Sequence, residues 1–263
     1  MTKITRNNYT LQVLKPVDLE TLKKIKSVKQ DHNVMELIPT DIMRLEIGFG
    51  LIPLADSDLE DNLVKRIKIL RKDIEDETGI SIPSIHILDN CKYLAPFEYS
   101  FYIRGKEMVK YEIKQNKFLC IASGKVKKIA NAKEIKDPVF DCPVILINKN
   151  QIKEANNAGY ITIVDAPAII MTHLGYLIKE NISEVFTYDI SKNILKNVQD
   201  KNPLLVKDCL SEYRPVKIKK ILSIILEKRK NLLNIDRILE MLLYYSKEKD
   251  IEKIAELIIE LEK

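Results

Sequence analysis

Three histidines, His32, His86 and His173, and four cysteines, Cys91, Cys120, Cys142 and Cys209, are the side chains of this 263-residue chain best suited to proton transfer, nucleophilic attack or metal ligation. Their spacing argues against each use. The cysteines form no C-x-x-C pair and have no histidine at a zinc-ligand interval, the pattern that a metal site requires. Free thiols in a reducing compartment are the expectation. The histidines are isolated from one another, and His173 lies beside the apolar stripe of its segment, so a structural ring with a nitrogen bonded to a backbone group is expected there. The chain has no P-loop, no G-x-S-x-G, no H-E-x-x-H and no dinucleotide fingerprint, and its seven glycines leave few loops able to cradle a phosphate. No catalytic residue, metal or cofactor is assigned, and the chain reads as a non-enzyme. A catalytic set that converges only in space stays open.

Charge supplies the other candidate chemistry. Between Arg104 and Lys133 nine basic residues face two acidic ones, a local net of +7 in a chain of net +5, which leaves the remainder near −2. Such a cluster attracts an acidic partner or nucleic acid through salt-dependent contacts, or is the solvated face of a lysine-rich protein. Nucleic acid is the weaker option, because aromatics make up 6% of the chain, none is Trp, and stacking side chains are not spaced through the cluster. With 46% hydrophobic and 31% charged residues the composition is globular. No apolar run approaches the ~20 residues of a transmembrane helix, and no apolar segment follows Lys3 and Arg6 as in a signal peptide. The product is expected to be soluble and cytoplasmic.

The elements that would position these residues read as α/β. Leu45, Ile47, Phe49 and Leu51 alternate with Glu46, Gly48 and Gly50, a strand with one apolar face whose glycines invite close approach of another backbone or helix. A helix follows, capped by Asp56, Ser57 or Asp58, with Leu59, Leu63, Ile67, Leu70 and Ile74 on one stripe and Gly79 as its stop. The next strand spans Ser84 to Leu88, completing a right-handed βαβ unit. Tyr99 to Ala122 reads as antiparallel strands, with Arg104-Gly105-Lys106 as a turn. Val144 to Ile147, a helix over 149–158, a strand from Tyr160 to Val164 and a helix from Asp165 return to α/β. From about 189 onward only amphipathic helices are signalled. The expected architecture is therefore three-lobed: an arm or linker over 1–40, an α/β subdomain from 41–90 and 136–182, an inserted antiparallel β-rich subdomain over 91–135, and an all-helical lobe over 183–263.

Leu45-Glu46-Ile47-Gly48-Phe49-Gly50-Leu51-Ile52-Pro53-Leu54-Ala55-Asp56, then Asp137-Pro138-Val139-Phe140, then Val164-Asp165-Ala166-Pro167-Ala168-Ile169-Ile170-Met171-Thr172-His173-Leu174 occur in that order. Together they resemble the FlhA/InvA (FHIPEP) family of flagellar and virulence type III export-gate proteins, over about residues 45 to 260. The second and third segments are similar to the family's DPAFG and V-[DE]-x-x-x-V-[VI]-A-T-H-L motifs. The resemblance is to the cytosolic domain, without the transmembrane half and without the fourth, compact α/β cytosolic subdomain. It implies a soluble piece of a longer protein or a free-standing version, located at the inner face of the cell membrane if joined to a membrane half.

In the family, export chaperones loaded with their substrates dock at a hydrophobic dimple between the first two subdomains. The residues implicated there match Asp137, Phe140 and Thr172. An exposed Phe in a concave surface gives an apolar anchor, and a nearby carboxylate and hydroxyl set the partner's register. Read without the resemblance, Asp137-Pro138 is a turn, Phe140 is core and Thr172 serves only its own helix. Departures from the pattern are Asp141 in place of the motif's Gly, Met171 in place of Ala, and an Asp89 to Tyr99 segment one residue longer than the family's D-N-L-x-L-x-P-x-E-Y. The implied function is a docking platform that recruits chaperone–substrate complexes, with other export-apparatus proteins as neighbours and the family's nonameric ring as assembly. The alternatives are a stand-alone paralogue acting as adaptor or regulator, and a nucleic-acid-binding protein that uses the basic cluster.

Overall fold

The computed structural model describes residues 41–55, 62–114, 117–122, 124, 126–129, 132–137, 139, 143–163, 166–229 and 231–261. The expectations placed on residues 1–40 and His32, on Asp56 to Leu59, and on Pro138, Phe140, Asp141 and Cys142 lie outside them.

Strand β1 (Met43–Ile47) turns Met43, Leu45 and Ile47 onto a buried face, as its alternation requires. It ends at Ile47, earlier than the alternation suggests. Phe49–Ala55 winds instead into a 3-10 turn around Pro53. The reason is the neighbour at Gly48 and Gly50, whose N–H groups donate to the carbonyls of Glu98 (2.8 Å) and Pro96 (2.8 Å). A Cβ at Gly48 would lie 2.0 Å from the Ala95 carbonyl oxygen, so another backbone does approach the glycines.

Helix α1 (Leu63–Thr78) begins at Asn62, whose side-chain oxygen accepts from the Lys65 N–H at 2.9 Å. It stops at Gly79, with φ 74°. The caps matter because the helix carries Lys65, Arg66 and Lys68 near its start and Glu75, Asp76 and Glu77 near its end, the reverse of what the macrodipole favours. Strand β2 (Ile85–Asp89) then pairs parallel with β1, Met43 opposite Ile85, α1 being the crossover that parallel neighbours need.

On the other edge of β1 lies β3 (Glu98–Ile103), antiparallel, with Tyr99, Phe101 and Ile103 opposite Ile47, Leu45 and Met43. Strand β4 (Lys106–Glu112) folds back through Arg104 (φ 49°) and Gly105 (φ 76°), a two-residue turn with both φ positive, which matches the strand twist. The first sheet therefore runs β2-β1-β3-β4, and β3 and β4, expected in the inserted lobe, extend it. Their apolar phase continues that of β1, so pairing there enlarges one core. The second sheet, β6-β7-β5-β8, is antiparallel throughout and is built from β5 (Phe118–Ala122), β6 (Lys133–Lys136), β7 (Pro143–Ile147) and β8 (Tyr160–Ile163). The 143–163 strands, expected in the α/β lobe, thus join it. Phe118 and Cys120 point into a small core with Ile145, Ile147 and Ala155 of helix α2 (Ile152–Asn157), while Leu119 joins the main core.

Helix α3 (Ala166–Glu180) buries Ile169, Ile170, His173, Leu174, Leu177 and Ile178. Past the short α4 (Ile182–Val185) the chain is helical: α5 (Tyr188–Lys201), α6 (Pro203–Glu212), α7 (Pro215–Arg229), α8 (Ile235–Tyr244) and α9 (Ile251–Leu261). Helix α5 buries Ile190, Ile194, Leu195 and Val198, α7 buries Ile218, Ile221, Leu222 and Ile225, and α8 buries Ile238, Leu239 and Leu242, whereas α6 turns Val206 and Cys209 inward and leaves Leu204 exposed. The architecture is mixed α/β, with two sheet lobes followed by a helical lobe. Among the described residues no helix is long and apolar enough to cross a membrane.

Gly48→Ala forces a methyl into the Ala95 and Pro96 carbonyls, and overpacking against backbone is expected to cost about 3 kcal/mol. At Gly105 a Cβ meets nothing within 4 Å, so Gly105→Ala carries only the positive-φ penalty of roughly 1 kcal/mol. Urea unfolding of the two variants checks the order. Equal losses would show that the close approach at Gly48 is not what ends β1.

Candidate functional site

Asp137 follows β6 and is completely buried. One carboxylate oxygen accepts from the Val139 N–H at 2.8 Å, an Asx turn that shapes the chain just ahead of Phe140. The other lies 3.1 Å from Nε2 of His173, which is buried on α3. Nδ1 of the same ring is 2.5 Å from the hydroxyl of Tyr99 on β3. Tyr111 of β4 presents its ring edge-on to the imidazole, with centroids 5.1 Å apart.

These contacts assign the protons. Burial, with Tyr111 and Asp137 adding, holds the Tyr99 hydroxyl well above the usual tyrosine range, so it keeps its proton. The Asp137 carboxylate has no proton to give, so the ring proton sits on Nε2, donating to Asp137, which leaves Nδ1 to accept from Tyr99. Tyr111 is likewise pushed up to about 12, first by burial and then by Asp137. The expected His173 contact with a backbone group is thus corrected: side chains on β3 and after β6 take both nitrogens, because buried Tyr99 and Asp137 each need a partner more than a solvated backbone does. The arrangement has the order of a nucleophile–imidazole–carboxylate triad. Its terminal hydroxyl is fully buried, so this geometry links elements of the core and does not present that hydroxyl to solvent.

Thr172, one residue ahead of His173, points the other way and is exposed. Its hydroxyl donates to the Ala168 carbonyl at 2.7 Å, leaving lone pairs toward solvent. Tyr176, one turn further along α3, is 40% exposed on the same side. Asp137 and the Thr172–His173 turn are therefore brought together, with Asp137 beneath the surface and Thr172 on it. Phe140 lies outside the described residues. Sequence reasoning missed Tyr99, Tyr111 and Tyr176. The signal for Tyr99 was present, since a Tyr on the inward phase of β3 and a His on the inward stripe of α3 each bring a polar tip that needs a partner.

Four described members of the basic cluster are engaged within the protein. Lys110 pairs with Glu98 (3.3 Å), Lys114 with Glu112, and Lys117 donates to the Asn148 side chain (2.8 Å). Arg104 donates to the Glu184 carbonyl (2.7 Å). Cys91, Cys120 and Cys209 are free thiols, and burial pushes Cys209 up to about 11. Among the described residues no group of three or more His, Cys, Asp or Glu side chains gathers as for a metal ion.

The FHIPEP family pattern matches residues 5–260, beginning well ahead of Leu45. The chain belongs to the FHIPEP family. Among its relatives, the flagellar biosynthesis protein FlhA of Borreliella burgdorferi is 34% identical over 214 residues, 81% of this chain and 30% of that protein. The chain thus spans about a third of the curated FHIPEP relatives it matches. Chlamydia pneumoniae CdsV in its complex with CdsO superposes with a TM-score of 0.72 at 18% identity, covering 83% of this chain and 64% of that one. The nonameric EscV cytosolic domain from the type III secretion system gives 0.63 at 19% identity, covering 86% and 65%. At these identities the two structures establish a shared fold.

Asp137→Ala would strand the Val139 N–H and the His173 Nε2–H in the interior, and a loss of about 3 kcal/mol or more is expected in denaturant unfolding. A loss below 1 kcal/mol would mean water replaces the carboxylate and the site is less dry than its burial implies. The tyrosines add a pH dependence: their folded pKa lies above the unfolded value, so the stabilisation is whole below pH 10.0 and is lost as pH rises toward about 12. Tyr99→Phe should flatten that alkaline fall in thermal melts.

Proposed function

We propose that the chain is the docking platform of a type III, flagellar-type export gate, recruiting export chaperones with their secreted substrates at the face marked by Asp137, Phe140 and Thr172. The observation that carries this reading is the convergence of Asp137 with the turn of α3 that exposes Thr172, although the two are far apart in the chain. Membership of the FHIPEP family supports the export setting. On this reading the labour is divided. Asp137 holds its turn from below, Thr172 offers acceptor lone pairs, and Phe140 with Tyr176 supplies aromatic anchoring of the kind that dominates interface energetics.

The reading leaves chemistry and energy supply to other parts of the apparatus. Other export-apparatus proteins and further copies of the chain are its remaining partners, in a ring on the pattern of the nonameric EscV cytosolic domain. The pairing of Lys110 with Glu98 and of Lys114 with Glu112 takes two charges of the basic cluster out of play, which favours a protein partner over nucleic acid.

Affinity pull-down from native lysate, followed by titration with the captured chaperone complex, is the test. Phe140→Ala is expected to weaken binding by roughly 2 kcal/mol or more with the fold intact, the scale of an aromatic hot spot. Thr172→Arg should weaken it as well, through bulk and charge on an exposed helix face. If Phe140→Ala instead costs about 3 to 5 kcal/mol of stability, as truncation of a core aromatic does, and binding is unchanged wherever the protein stays folded, the docking face lies elsewhere.

A further inference from the structure

We propose that Tyr99 and His173 are positioning residues of the docking face, holding the Asp137–Val139 turn from inside the protein through one relayed chain of hydrogen bonds. This rests on the docking reading above. The relay runs from the Tyr99 O–H to Nδ1 of His173, from Nε2–H to one oxygen of Asp137, and from the Val139 N–H to the other. Three parts of the fold meet in it: β3 of the first sheet, α3, and the exit of β6 in the second sheet. The three bonds are consecutive, so a change at Tyr99 is passed on to Val139.

Burial gives the relay its leverage. Tyr99, His173 and Asp137 are all shut off from solvent, so no bulk water can substitute for a lost partner without opening the core. If Tyr99 stops donating, the imidazole is free to turn or change tautomer, and Asp137 loses the directed donor that holds it. The backbone just ahead of Phe140 then loosens while Thr172, anchored on Ala168 by its own hydroxyl, keeps its place. Presentation of the docking face is thereby tied to the packing of α3 on the first sheet, through residues that never touch the partner.

Three measurements on the full chain decide it. Nitrogen NMR of the imidazole in the wild type should show His173 as the Nε2–H tautomer, and the opposite tautomer overturns the relay. Amide exchange should show Val139 losing protection about tenfold or more in Tyr99→Phe, the scale of one buried hydrogen bond, with Leu45 in β1 unchanged. His173→Gln, which keeps a donor toward Asp137, should preserve Val139 better than His173→Leu. Unchanged Val139 exchange in both Tyr99→Phe and His173→Leu would overturn the proposal. The third arm titrates a purified export chaperone of the same organism. Weaker binding by Tyr99→Phe, with His173→Gln closer to wild type, is expected, and equal affinity despite a loosened Val139 overturns the positioning role. Failure of the wild-type chain itself to bind would overturn the docking reading before any variant is made.

Discussion

A hydroxyl, an imidazole and a carboxylate cannot share a dry interior unless every proton has a place to go. Tyr99, His173 and Asp137 meet that condition in one arrangement: the tyrosine gives to Nδ1, and Nε2 gives to the carboxylate. The contacts link β3, α3 and the residue that follows β6. The chain of bonds holds α3 to the first sheet at Tyr99 and holds the second sheet's β6 exit to α3 at Asp137. Apolar packing alone would let such layers slide. A directional link between them restricts the register of the layers, because each bond fails beyond a few tenths of an ångström.

The helical lobe is attached by backbone carbonyls. Arg104, at a positive φ that a non-glycine residue adopts at a cost, reaches from the tip of the β3–β4 hairpin to the Glu184 carbonyl at the end of α4. At the other end the Leu232 N–H donates to the Thr78 carbonyl at 2.7 Å, where α1 stops and Gly79 lies against the Leu232 backbone. Orphan carbonyls at the ends of two helices thus serve as joints. The FHIPEP fold accordingly presents α3, with Thr172 and Tyr176 outward, from a frame tied on both sides.

Much of this was legible along the chain. The alternation in Met43–Ile47, the Gly79 stop, the Arg104-Gly105 turn and the stripes of α3, α5, α7 and α8 are local patterns whose outcome depends on neighbours a few residues away. The cap of α1 is equally local, since Asn62 accepts from the Lys65 N–H three residues on. Sheet partners were not legible, for a different reason. Whether β3 joins β1 or a separate lobe depends on which apolar faces pair across the chain, and a period of 2 is the same in both cases.

At the candidate site the motif residues Asp137 and Thr172 stood out through their resemblance to the FHIPEP pattern, and their types limited what each could offer. Which of them faces solvent was beyond sequence to decide. An Asp after a strand and a Thr on a helix are both ordinary surface residues, and only the long-range meeting of Asp137 with His173 and Tyr99 draws the carboxylate inward and leaves the hydroxyl outside. By itself the sequence determined the family, the element types and the absence of familiar catalytic motifs, because those depend on short-range spacing. Tertiary structure alone decided the sheet partners and which polar groups are buried and which exposed, because burial of a polar group is settled by partners brought from distant strands and helices.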